Sequence, residues 1–136
     1  EALINLKGLG FLLIVVTNQP DVGNGLVEKR IVNQMHKNLA NALPLDEIYV
    51  CFHSQEDGCS CRKPRAGLLK TAAKRHKIDL RQSYMIGDRK GDIEAGQTAG
   101  CFSIFIDHKY AEAPPSDPDA IACNVKVASE IIMAKV

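Results

Sequence analysis

The sequence predicts an α/β protein: a parallel sheet with helices on both faces. Two observations carry that expectation. Short apolar runs rich in branched residues, at 11–16, 47–52, 84–86 and 101–106, alternate with segments of helical period. The polar residues able to do chemistry cluster just after those runs, and open α/β sheets place their sites at the C-terminal strand ends.

Composition narrows the class. The chain has 136 residues, 46% hydrophobic and 24% charged, which predicts one globular domain over residues 1–136 with a modest core. A formal net charge of +1 gives no electrostatic case for nucleic acid. No stretch approaches the roughly 20 apolar residues of a membrane span. A soluble, cytoplasmic protein that is a monomer when intact and has a small-molecule partner is the expectation.

Residues 1–10 read as the last turns of an amphipathic helix, with Ala2, Leu3 and Leu6 on one face and Gly8 and Gly10 as the stop. No start signal precedes them, so the expectation is that a segment upstream is missing. Residues 11–16 follow as a strand buried on both faces. At its end, Thr17 and Asn18 can hydrogen-bond phosphate oxygens, or can simply open the loop that Pro20, Gly23 and Gly25 define. Val27, Ile31, Met35, Leu39 and Leu43, four apart, predict an amphipathic helix closed by Pro44, with His36 on its solvated face.

The second strand, 47–52, runs into a loop with Cys51, His53, Cys59 and Cys61. Zinc takes four thiolate or imidazole ligands in a tetrahedron, and a short loop folding back can supply two from each arm. A closed, structural zinc site over residues 51–61 is the reading; a coincidental group of core cysteines is the alternative, disfavoured because the loop is polar. Arg62 and Lys63 follow at once, so a pinned loop holds two cations beside the sheet edge, where they can clamp a phosphate; an isolated Arg-Lys pair is otherwise ordinary surface. Residues 66–77 predict a helix with Leu68, Leu69, Ala72 and Ala73 as its apolar face and His76 solvated.

The third strand, 84–86, ends in Gly87 and delivers Asp88 and Asp92 to the sheet edge. Carboxylates there suit a hard cation such as Mg2+; alternatively Asp88 caps the helix that follows. Residues 93–99 are that helix, stopped by Gly100, and 101–106 a fourth strand. Residues 107–119, with Pro114, Pro115 and Pro118, form an irregular loop in which His108 has no assigned role. A short edge strand at 120–125 and a closing helix at 127–136 complete the chain, with Cys101 and Cys123 as packed thiols.

Taken together, Thr17-Asn18-Gln19, the cysteine–histidine loop, Arg62-Lys63-Pro64 and Gly87-Asp88-x-x-x-Asp92 resemble the haloacid dehalogenase superfamily. Their order, with the zinc loop, resembles its branch of heptose bisphosphate and histidinol phosphate phosphatases. The resemblance covers essentially the whole chain and implies a Rossmann-like core. It implies a Mg2+-dependent phosphomonoester hydrolase that passes through an aspartyl-phosphate, with a small phosphorylated substrate, Zn2+ and Mg2+. Thr17 then matches the hydroxyl that binds the phosphoryl group, Lys63 the lysine that stabilises its charge, Asp88 the magnesium ligand and Asp92 the second acid. Arg62 lies where the heptose phosphatases hold the far end of the substrate.

Two departures accompany it. The family's Asp-x-Asp-x-Thr motif, which supplies the nucleophile, the acid/base aspartate and most of the magnesium site, occurs nowhere in these residues, and Asn24 stands where an arginine is usual. The central strand carrying that motif is therefore expected to be missing, which predicts a gap between strands 11–16 and 84–86 and no turnover by this chain alone. A non-catalytic, zinc-stabilised domain that binds a phosphorylated ligand is the competing class.

Overall fold

A computed structural model describes residues 1–18, 25, 28–51, 59, 63 and 65–136. In chain order the elements are α1 (Ala2–Gly8), β1 (Ile14–Asn18), α2 (Lys29–Ala42), β2 (Glu47–Cys51), α3 (Gly67–His76), a 3-10 turn (Leu80–Gln82), β3 (Tyr84–Gly87), α4 (Lys90–Ala99), β4 (Phe102–Ile106), β5 (Ala120–Ala122) and α5 (Val125–Lys135). Every strand pairing is parallel.

The strands fall into two sheets, β1-β2 and β3-β4-β5. The larger sheet is covered on both faces, as the alternation predicts. Period two along the strands sends Ile104 and Ile106 toward one side, where they pack with Leu6 of α1 and Ala128 and Ile132 of α5. Met85 faces the other side and packs with Leu69 of α3, Ala95 of α4 and Cys101. The approach of α4 to this sheet requires Gly96: a Cβ there would sit 2.5 Å from Ser103 Oγ and 2.7 Å from Met85 Cβ.

Termini obey local rules. Gly100, at φ +88°, ends α4 in the left-handed conformation that glycine adopts without a steric penalty. Asn124 caps α5 by accepting the Val127 N–H at 2.8 Å. The entrance to β2 is fastened by Asp46, whose carboxylate faces Lys7 Nζ at 2.5 Å and accepts the Leu13 N–H at 2.7 Å. Those bonds hold the Asp46 carboxyl below the usual carboxylate range, Lys7 contributing most.

Several expectations change. The first strand begins at Ile14, not Phe11, and runs through Asn18. It is half-buried throughout, because among the described residues only one of its edges pairs with a strand. α2 is amphipathic, yet only Val32 is buried; Ile31, Met35, Leu39 and Leu43 are exposed. His76 is not solvated: its ring meets Tyr49 edge-on at 6.2 Å, with Nε2 3.6 Å from Glu47 Oε2. Cys101 is packed and burial raises its thiol pKa, but Cys123 is exposed, since β5 stops at Ala122. Among the described residues, no helix is long and apolar enough to cross a membrane.

Candidate active site

Between the two sheets lies a cleft of about 710 Å³ walled by β1 and β3. Val15 and Ile86 are among its apolar lining, while Thr17, Lys63, Asp88 and Asp92 gather where those strands end. Among the described residues no strand lies between β1 and β3, so each presents an edge of backbone N–H and C=O groups toward this space.

Lys63 spans the polar end. Its Nζ lies 2.5 Å from Asp92 Oδ1 and donates to the Val16 carbonyl at 3.2 Å. Asn18 holds the Lys63 backbone in a two-way pairing: Oδ1 accepts the Lys63 N–H at 3.2 Å, and Nδ2 donates to the Lys63 carbonyl at 3.5 Å. The Asn18 amide, read from sequence as a phosphate contact, is thus engaged by the lysine loop.

The two aspartates have separate surroundings. Asp92 is buried on the first turn of α4, and its Oδ2 accepts the Arg89 N–H at 3.2 Å. With Oδ1 facing the Lys63 ammonium, both of its oxygens have protein partners. Helix capping therefore falls to Asp92, reaching back to Arg89, and not to Asp88. Gly87 makes room for this: a Cβ there would lie 2.2 Å from Asp92 Cβ. Asp88 Oδ2 instead accepts a hydrogen bond from the Tyr110 hydroxyl at 2.9 Å, which raises the Tyr110 pKa.

Of the four expected zinc ligands, Cys51 and Cys59 are described; His53 and Cys61, like Arg62 and Asn24, lie outside the described residues. The Cys51 and Cys59 sulfurs are 3.4 Å apart, Cys51 fully buried at the end of β2. The Arg65 guanidinium donates to the Cys59 carbonyl. Among the described residues, no group of three or more His, Cys, Asp or Glu side chains is placed to hold a metal.

Sequence reasoning missed Tyr110 and Arg89. The Arg89 guanidinium lies over the Tyr110 ring, 4.4 Å from its centroid. The only available signal was Arg89 following Asp88 directly; Tyr110 sits in a loop without periodicity.

Comparison with known proteins gives this arrangement a family. The model described as HAD-hydrolase-like matches residues 60–128, just over half of the chain. The chain belongs to that family. Among curated relatives it is 40% identical to D-glycero-beta-D-manno-heptose-1,7-bisphosphate 7-phosphatase of Helicobacter pylori, the match covering 73% of this chain and 61% of that protein. It is 38% identical to the histidine biosynthesis bifunctional protein HisB of Blochmanniella floridana, over 75% of this chain and 30% of that protein. A HAD-type core is also found in the crystal structure of D,D-heptose 1.7-bisphosphate phosphatase from B. bronchiseptica complexed with magnesium and phosphate. That structure superposes with a TM-score of 0.88 at 25% identity, covering 99% of this chain and 81% of that one. The match thus spans less than two thirds of these curated relatives.

Proposed function

We propose that this chain forms most of the active site of a Mg2+-dependent phosphomonoester hydrolase acting on a small sugar phosphate, such as heptose 1,7-bisphosphate or histidinol phosphate. The observation that carries the reading is the convergence of Thr17, Lys63 and Asp88 at the polar end of one cleft. The named activities of its relatives accord with it.

In this reading the Thr17 hydroxyl binds the phosphoryl group, and Lys63, held by Asn18 and Asp92, offsets its charge. Arg62 binds the far end of the substrate. A hard cation needs oxygen donors, and Asp88, an acid lining the cleft, fits that requirement. Bound there, Mg2+ would neutralise phosphoryl charge. Asp92 acts by anchoring Lys63. The attacking carboxylate belongs to an Asp-x-Asp-x-Thr strand, which these residues do not contain, so the chain alone is inactive.

Zinc at Cys51, His53, Cys59 and Cys61 is the second part of the proposal. Two thiolates on one tetrahedral zinc, each at 2.3 Å, are about 3.8 Å apart. The 3.4 Å between Cys51 and Cys59 is close to that spacing.

The test is phosphate release from heptose 1,7-bisphosphate or histidinol phosphate with Mg2+. The chain alone should release none; adding a peptide with an apolar run ending in Asp-x-Asp-x-Thr should produce turnover that Lys63→Ala abolishes. Turnover by the chain alone, retained in Asp88→Asn, would overturn the reading. The absence of the motif also favours a non-catalytic phosphate-binding domain. Saturable binding of the phosphorylated ligand with no turnover, even with the peptide, would establish that alternative.

A further inference from the structure

Two thiols flank the attachment of Lys63 to the sheet. Cys51 is the last residue of β2 and fully buried, and its register partner on β1 is Asn18. Asn18 in turn holds the Lys63 backbone on both sides, Oδ1 accepting the N–H and Nδ2 donating to the carbonyl. Cys59 precedes Lys63 by four residues and is only partly buried, and its carbonyl accepts from the Arg65 guanidinium. The Cys51 and Cys59 sulfurs meet at 3.4 Å.

Sulfurs in contact can be joined, and here the two sides are not equally free to move. A disulfide needs about 2.05 Å between its sulfurs, so one of them must come inward. β2 is fixed by its pairing with β1 from Glu47 through Cys51, and the movement falls on Cys59 and the chain that leads to Lys63. Access differs too. Thiol oxidation follows exposure, so Cys59 meets an oxidant first and Cys51, shielded at the strand end, resolves it. The other two described cysteines have different surroundings: Cys101 is buried, which raises its thiol pKa, and Cys123 is exposed beyond β5.

We propose that Cys51 and Cys59 are a redox pair, closed to a disulfide by hydrogen peroxide, and that closing it draws the Lys63 loop off Asn18. The Cys59 sulfur attacks one peroxide oxygen: the S–O bond forms, the O–O bond breaks, and the departing hydroxide takes the thiol proton and leaves as water. The Cys51 sulfur then attacks the Cys59 sulfenic acid. The S–S bond forms, the S–O bond breaks, and a second water carries away the hydroxyl and the Cys51 proton. Two electrons pass from the sulfurs to the peroxide. The same cysteines are half of the proposed zinc quartet, and zinc takes cysteine as thiolate, so disulfide and metal exclude each other. The pair stands without the metal. That its closure weakens phosphate binding rests on the reading of Lys63 as the group that offsets phosphoryl charge.

The experiment treats the full chain, as purified, with hydrogen peroxide in the presence of a chromogenic zinc chelator. Thiols left free are then alkylated, and the chain is cleaved after Glu56 without reduction, which separates Cys51 from Cys59. The two fragments should stay joined through Cys51 and Cys59, with Cys61 alkylated, and Cys123→Ser should behave as the wild type. By nuclear magnetic resonance the Lys63 amide should lose its hydrogen-exchange protection on oxidation, because Asn18 Oδ1 no longer accepts it. Inorganic phosphate should bind more weakly, and dithiothreitol should reverse all three changes. Cys59 joined to another cysteine, oxidation that stops at sulfenic or sulfinic acid, or a Cys51–Cys59 bond that leaves Lys63 exchange unchanged would overturn the switch. A bond that frees the Lys63 amide while phosphate affinity stays the same would sustain the switch and sink the role given to Lys63; a bond that forms with no zinc released would sustain the pair and count against the zinc assignment.

Discussion

Lys63 and Asp92 join the two sheets across the cleft: the ammonium that lies 2.5 Å from Asp92 Oδ1 also donates to the Val16 carbonyl on β1. Asp92 belongs to α4, which follows β3, so one side chain bridges the walls of the site. Both partners are largely shielded, with side-chain exposures of 14% and 11%.

Lys63→Ala should therefore do two things. Leaving a mostly buried carboxylate without its cation should destabilise the fold by about 3 kcal/mol. Removing the charge at the polar end should weaken phosphate binding more than Lys74→Ala, since Lys74 is exposed on α3. Denaturant unfolding and phosphate titration measure the two effects. Equal losses of phosphate binding in the two variants would show nonspecific surface charge.

Parts of this bridge were legible in the sequence and parts were not. An apolar run ending in polar residues is a local pattern, so the placement of Thr17 and Asp88 at strand ends could be read, as could the stop at Gly100. The partners of Asp92 depend on how closely α4 approaches β3, which no spacing encodes; only Gly87, where a Cβ would overlap Asp92, hints at it. The commitment of Asn18 to Lys63 is long-range in the same way. Period four named the apolar stripe of α2 but could not say whether a sheet would be wide enough to cover it, and Ile31 and Met35 are exposed. Tyr110 reaches Asp88 from a loop with no periodicity at all.

The cysteine loop yields a prediction independent of catalysis. Structural zinc sites in small peptides carry about 10–16 kcal/mol of apparent binding free energy, which is large beside a domain stability of about 5–15 kcal/mol. Protein purified without chelator should hold about one zinc per chain, and Cys59→Ser should lose it and melt at a lower temperature. Elemental analysis showing no zinc in the wild type would refute the assignment.

Asp46 should make stability depend on acid. Its pKa is lowered in the folded chain, first by Lys7 and then by the Leu13 N–H, so the native state binds this proton less readily than the unfolded one. The stabilisation is fully present above the ordinary aspartate value of about 3.9 and is lost as pH falls through the lower native value. Asp46→Asn should cost about 1 kcal/mol near neutral pH, and the difference from wild type should vanish in strong acid. Chemical unfolding of both chains across that range measures it; a gap that persists undiminished at low pH would mean the carboxylate charge is not the cause.

The cleft itself supports the last prediction. Among the described residues β1 pairs in parallel only with β2, and β3 only with β4, so the facing edges of β1 and β3 can accept one extended segment running parallel to both. Such a segment would bury the apolar lining around Val15 and Ile86 and convert two sheets into one of six strands in the order β2-β1-new-β3-β4-β5. A peptide of apolar residues ending in Asp-x-Asp-x-Thr should therefore slow hydrogen exchange of edge amides in Ile14–Asn18 and Tyr84–Gly87 together. At a hundredfold excess over its dissociation constant it should stabilise the chain by about 2.7 kcal/mol. A peptide of the same length with proline at alternate positions cannot donate those backbone hydrogen bonds and should do neither. Protection confined to one strand, or equal stabilisation by the proline control, would show that the segment binds by apolar contact alone and that the two edges do not form a single slot for a strand.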